Sequence, residues 1–149
     1  MAQDYHDLIV WQKAIDLTVS IYTLTQSFPR NELYGLTSQM RRASVSVASN
    51  IAEGRGRLNA AEFRQFLGLA QGSIFELRTQ LLVARKLGFA CGESFRAADA
   101  LSGEVSKMLR TFIQRLNVQS KHAPRVWSEA ERQKLIANSS KGNICVDLS

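Results

Sequence analysis

Apolar residues recur at helical spacing in four long runs along this chain, separated by turn signals. The first run spans about Asp7 to Ser27 and carries two stripes. One is Leu8, Trp11, Ile15, Val19 and Tyr22; the other is Val10, Ala14, Leu17, Ile21, Leu24 and Phe28. A surface helix needs one apolar stripe. The second stripe predicts a helix covered on two sides, either deep in a bundle or at a subunit contact. Phe28-Pro29 ends the run, because the residue before proline is pushed out of helical geometry.

A second helix is predicted from about Leu36 to Glu53. Leu36, Met40, Ala43, Val47 and Ile51 mark one face of it. Asn31 can cap a short turn before it, and Gly35 fits either inside the helix or at its start. Ala43, Ser44, Ser46, Ala48, Ser49 and Ala52 are small enough for close helix approach. Gly54 and Gly56 supply an end.

The third helix has the clearest start, since Asn59 followed by Glu62 matches a capping pattern. Phe63, Phe66, Leu67, Ala70, Ile74, Leu77, Leu81, Ala84 and Leu87 follow, and Gly88 is a natural C-cap. Gly68 and Gly72 each cost roughly 1 kcal/mol of helix propensity, which close packing against a neighbour would explain. The fourth helix runs from about Ser94 to Asn117, with Phe95, Ala98, Leu101, Val105, Met108, Phe112 and Leu116 as its core face. After Lys121 the order fades. Trp127 to Ala137 fits a short helix capped by Ser128, with Glu131 at its third position. Four long helices with short connections predict an all-α fold, an up-and-down antiparallel four-helix bundle over residues 1–120, with a C-terminal tail over 121–149.

A chain of 149 residues suits one bundle domain. Pro29 and Pro124 are its only prolines, which leaves room for long uninterrupted helices. Cys91 and Cys145 belong to no Cys-x-x-Cys pair, so neither a disulfide scaffold nor a zinc site is expected, and a reducing cytoplasm fits. Acidic residues stand where a signal peptide would carry positive charge. With no run of 18 apolar residues, no membrane span is expected.

Catalytic chemistry finds no foothold. His6 and His122 lack the Glu-x-x-His pairing of a di-iron bundle. There is no Walker motif, nucleophile elbow or zinc-protease helix, and Gly54-Arg55-Gly56-Arg57 is too incomplete for a phosphate loop. No metal, no cofactor and no enzymatic activity are expected.

Charge carries more information. The net charge is +6, and residues 30–90 hold nine basic against four acidic groups. Arg41, Arg42, Arg55, Arg57 and Arg64 lie in or near the hairpin of helices two and three. Arginine forks phosphate oxygens bidentately, so this set predicts an RNA- or DNA-binding surface without base specificity. Arg85, Lys86, Arg110 and Arg115 offer a second stripe or simply keep outer faces wet. The rival reading is a structural or protein-interaction bundle whose arginines serve assembly. On that side, Asn50 and Glu53 are expected to join Arg41 in a structural network, so that removing Glu53 lowers melting or weakens assembly.

Several ordered pieces can be taken together: Trp11-Gln12, Phe28-Pro29, Tyr34 to Thr37, Gln39 to Arg42, Ser49 to Gly54, and Gly72-Ser73 before Glu76-Leu77. They resemble the small bacterial 23S rRNA intervening-sequence proteins, over roughly residues 5–118. That family is similar in overall fold to the accessory protein of diversity-generating retroelements, a pentameric barrel that works with a reverse transcriptase and RNA. The resemblance implies a four-helix bundle, a homo-oligomer of five copies, a nucleic-acid or protein partner, and no established enzymatic activity. The tail after Lys121 departs from the family pattern and inherits no role.

Overall fold

The structure, a computed structural model, describes residues 4–122 and 128–139. Its α-helices are α1 (Ile9–Thr25), α2 (Ser38–Arg55), α3 (Ala60–Lys86), α4 (Gly92–His122) and α5 (Glu129–Ser139). α1 packs on α2, α2 on α3 and α3 on α4, and α1 closes the set against α4. The order is therefore cyclic, with α1 diagonal to α3 and α2 diagonal to α4, as expected for an up-and-down bundle.

Local chemistry explains the boundaries. Asn59 has extended backbone geometry, and its side chain accepts from the Glu62 amide at 2.9 Å. Such a cap stabilises a helix by about 1 kcal/mol. Gly88 and Gly92 carry the positive φ values, 76° and 69°, that turn the chain from α3 into α4. Gly35 sits in neither of the places its sequence allowed. It lies in a short π-helical turn, Leu33–Thr37, where its ψ of −117° kinks the chain before α2 starts. In the tail, Ser128 and Glu131 form the expected reciprocal cap of α5. Trp127 and residues 140–149 lie outside the described residues.

The core runs along the bundle axis. Leu17, Ile21, Met40, Ile51, Leu67, Ile74, Leu77 and Leu109 are all fully buried. Of the two stripes on α1, the one from Val10 to Phe28 is the core stripe. The other faces outward, with Ile15, Val19 and Tyr22 exposed by 37%, 61% and 43%. The inner spine of α4 is Ala98, Ser102, Val105 and Leu109, while Leu101, Met108 and Phe112 flank it half-buried.

Polar ties cross every seam of the bundle. Thr18 donates to the Ser44 carbonyl at 3.1 Å between α1 and α2. The Ser46 and Ser73 hydroxyls meet at 2.9 Å between α2 and α3. Gln71 donates to Ser106 at 3.2 Å between α3 and α4. Lys13 pairs with Glu104 at 3.3 Å between α1 and α4. Apolar packing tolerates a slide along the axis; directional bonds favour one register.

Candidate nucleic-acid interface

The five arginines are divided between the two ends of the bundle. Arg41 and Arg55 are 14 residues apart on one helix, which at 1.5 Å per residue separates them by about 21 Å. Arg41 and Arg42 lie at the end where α1 finishes. Arg55, Arg57 and Arg64 lie at the end where α2 turns into α3.

Arg41 is half-buried and locally engaged. Its Nε donates to Thr25 Oγ1 at 2.9 Å, and its guanidinium lies 4.6 Å from the centre of the Tyr22 ring. Buried Thr25 passes its own proton to the Ile21 carbonyl at 2.8 Å. Arg41 thus clamps α2 to α1. Arg42, one residue on, is exposed.

At the hairpin end, Arg57 pairs with Glu53 at 2.6 Å and stacks over Phe66 at 4.6 Å. Arg55 lies 5.8 Å from the Phe63 ring centre. Arg55 and Arg57 line an open cleft of about 340 Å³ with Asn59, Ala60 and Phe63, beside the first turn of α3. Arg64 is half-buried at the start of the next turn. The positive end of a helix dipole and two guanidiniums therefore face the same space, an arrangement suited to a phosphate or carboxylate.

Within the chain, Arg41, Asn50 and Glu53 do not share one network. Asn50 donates to the Ser46 carbonyl at 2.8 Å and to its hydroxyl at 3.0 Å, extending the Ser46–Ser73 tie. Glu53 belongs to Arg57, and Arg41 to Thr25. The physical reason is length: the twelve residues from Arg41 to Glu53 span about 18 Å of helix. An exposed i,i+4 ion pair stabilises by only about 0.3–0.5 kcal/mol. Glu53→Ala is thus expected to shift thermal melting by no more than about 2 °C. A larger drop in calorimetry would mean that Glu53 is held by a second subunit.

At the start of the chain, the His6 side chain bonds to Asp4 at 3.0 Å and holds that carboxyl below its usual range. His6 stacks on Tyr5 and meets the edge of Trp11. Among the described residues, no group of three His, Cys, Asp or Glu could hold a metal ion, and no helix is long and apolar enough to cross a membrane.

A feature missed in the sequence is the state of the other cations. Arg78, Lys107 and Arg110 have no hydrogen bond, ion pair or ring partner among the described residues. Their shared groove joins helices about thirty residues apart in sequence, so no local pattern announces it.

Comparison with solved structures finds the same fold in a protein of unknown function from the S23 ribosomal protein family of Bacteroides thetaiotaomicron. The TM-score is 0.63 at 21% identity, over 70% of this chain and 98% of that one. Comparison with curated proteins yields no match. The sequence pattern of the 23S rRNA-intervening sequence proteins matches residues 6–111, most of the bundle, and the chain belongs to that family.

Proposed function

We propose that this protein is a non-enzymatic, oligomeric accessory factor that binds RNA or another nucleic acid through the arginine-bearing end of the α2–α3 hairpin. The observation that carries this reading is the cleft in which Arg55 and Arg57 meet the first turn of α3. Backbone amides and guanidiniums there would grip phosphate oxygens without reading bases. One such cleft is a weak site. Copies arranged around a ring engage one polyanion at high effective concentration.

Support for the ring comes from the outward stripe of α1 and from exposed Leu69 and Val83 on α3, which are 52% and 43% accessible. Because α1 and α3 occupy different corners of the bundle, these apolar strips lie on different faces. A strip of one copy against the other strip of the next makes a head-to-tail contact, the kind that generates a ring when the rotation between copies closes. Five copies is the number carried by the family resemblance. A cytoplasmic location fits the same reading.

The rival is a protein-interaction scaffold, favoured by the engagement of Arg41 and Arg57 inside the chain. Titration with structured RNA and with duplex DNA at rising salt separates the two. The proposal expects salt-sensitive binding that weakens when Arg55, Arg57 and Arg64 are neutralised. No binding to any nucleic acid at low salt leaves the scaffold reading. Binding retained after neutralisation removes the site assignment and keeps the function.

A further inference from the structure

The groove between α3 and α4 lies on a different face from the hairpin cleft and has its own character. Its upper part, about 420 Å³, is lined by Phe75, Arg78, Arg85, Phe95 and Asp99. Its lower part, about 500 Å³, is lined by Arg78, Gly103, Glu104, Ser106, Lys107 and Arg110. Arg78 lines both, so the two parts adjoin at its side chain.

Four cations face this groove against two carboxylates. Glu104 is already held by Lys13 of α1 at 3.3 Å. Asp99 is the one acid left, at the upper end. Arg78, Lys107 and Arg110 are without partners among the described residues, unlike Arg41 and Arg57. Three solvated cations held side by side repel one another, and a polyanion relieves that repulsion. Arg78 and Arg85 stand two turns apart on α3, about 10 Å. Cations repeated along a groove suit an extended anion more than a single ion.

Aromatic rings decide which anion. Phe75 is 50% exposed, one turn before Arg78 on α3 and in the same lining, and Phe95 lies 5.6 Å under the Arg85 guanidinium. A positive groove with ring faces beside it is the arrangement that binds single strands, with backbone on the cations and bases stacked on the rings. Duplex hides its base faces, and the carboxylates of an acidic peptide do not come with a flat ring at every repeat as the phosphates of a single strand do. The lower part has an open floor at Gly103, where an added Cβ would meet nothing within 4 Å. We infer that the α3–α4 groove is a binding track for single-stranded nucleic acid, with Arg78, Lys107 and Arg110 on the phosphates and Phe75 stacking a base. This site is separate from the hairpin cleft and does not depend on it.

The test is fluorescence anisotropy of the full chain with a labelled single-stranded oligouridine over a salt series. Three variants are compared: Arg78→Gln/Lys107→Gln/Arg110→Gln, Phe75→Ala, and Arg55→Gln/Arg57→Gln/Arg64→Gln. The groove triple variant is expected to bind at least tenfold more weakly, with the slope of log affinity against log salt reduced by about 2. Phe75→Ala is expected to bind several-fold more weakly with an unchanged slope. In the two groove variants, helicity by circular dichroism and mass by light scattering should stay at parent values, since Phe75, Arg78, Lys107 and Arg110 are exposed. Unchanged affinity in the groove triple variant overturns the inference; if the hairpin variant then loses binding, the hairpin reading stands alone. The opposite pair of results keeps the groove and removes the hairpin site. A change of mass in Phe75→Ala assigns that ring to a subunit contact and overturns the stacking role. Equal binding of duplex or of polyglutamate overturns the choice of a single strand.

Discussion

Replacing Gly54 with valine is expected to destabilise the bundle by about 3 kcal/mol or more, at the upper end of overpacking effects. A Cβ at this position would stand 2.5 Å from Phe66 Cβ and 3.0 Å from the Phe63 ring. The carbonyl oxygen of Phe63 is 3.3 Å away. None of these is the far end of a flexible side chain, so α2 and α3 must move apart. Gly54→Ala sharpens the point. Helix propensity alone favours alanine over glycine by about 1 kcal/mol; the contact reverses that sign. Gly68→Ala is the control, because nothing lies within 4 Å of an added Cβ there and propensity should win. Urea denaturation of the three variants checks the ordering. Stability of Gly54→Val at the parent level would mean that the helices are not this close. The consequence reaches the site, because Phe66 carries the Arg57 guanidinium on its face. Moving Phe66 also moves an arginine that lines the cleft.

These glycines show where sequence stops being legible. Gly68 and Gly72 stand inside a helical run and read as close packing, while Gly54 reads as a helix end. The structure has no atom within 4 Å of a Cβ at Gly68 or Gly72, and the close approach is at Gly54. A helical glycine announces a missing side chain and says nothing of what occupies the space. Caps are different, because the Asn59–Glu62 bond is local and its spacing fixes it. On α4 the predicted face gave weight to Leu101, Met108 and Phe112, whereas Ser102 sits in the inner spine. Its hydroxyl is satisfied by the Asp99 carbonyl at 2.8 Å, so a serine is buried without penalty. The sequence groups five arginines near the hairpin, but 14 residues of α2 put Arg41 about 21 Å from Arg55, so the set divides between two ends. The unpartnered groove cations were not readable, because pairing α3 with α4 needs the register that Gln71 and Ser106 help to fix.

Replacing Val19 with aspartate is expected to leave the folded chain intact and to break its assembly. Val19 is 61% exposed on α1, so a charge there buries nothing within one chain. Ile15 and Tyr22, on either side of it, are also outward and apolar. Small residues of α2 leave a shallow groove beside them, lined by Trp11, Ile15, Val45, Ala48 and Ala52. A facing strip from a neighbouring copy would bury this groove, and a carboxylate inside that contact would lose its water without a partner. Desolvating such a charge costs several kcal/mol at every repeat of a ring. The expected outcome in light scattering is a fall from a multimer to the mass of one chain, with helicity and the melting of the chain itself preserved. Nucleic-acid affinity should fall in step, because the clefts no longer act together. A multimer of unchanged mass in Val19→Asp would move the contact off α1. A parent protein that is monomeric across a wide concentration range would remove the ring, and with it the gain in affinity that repetition of weak arginine clefts requires.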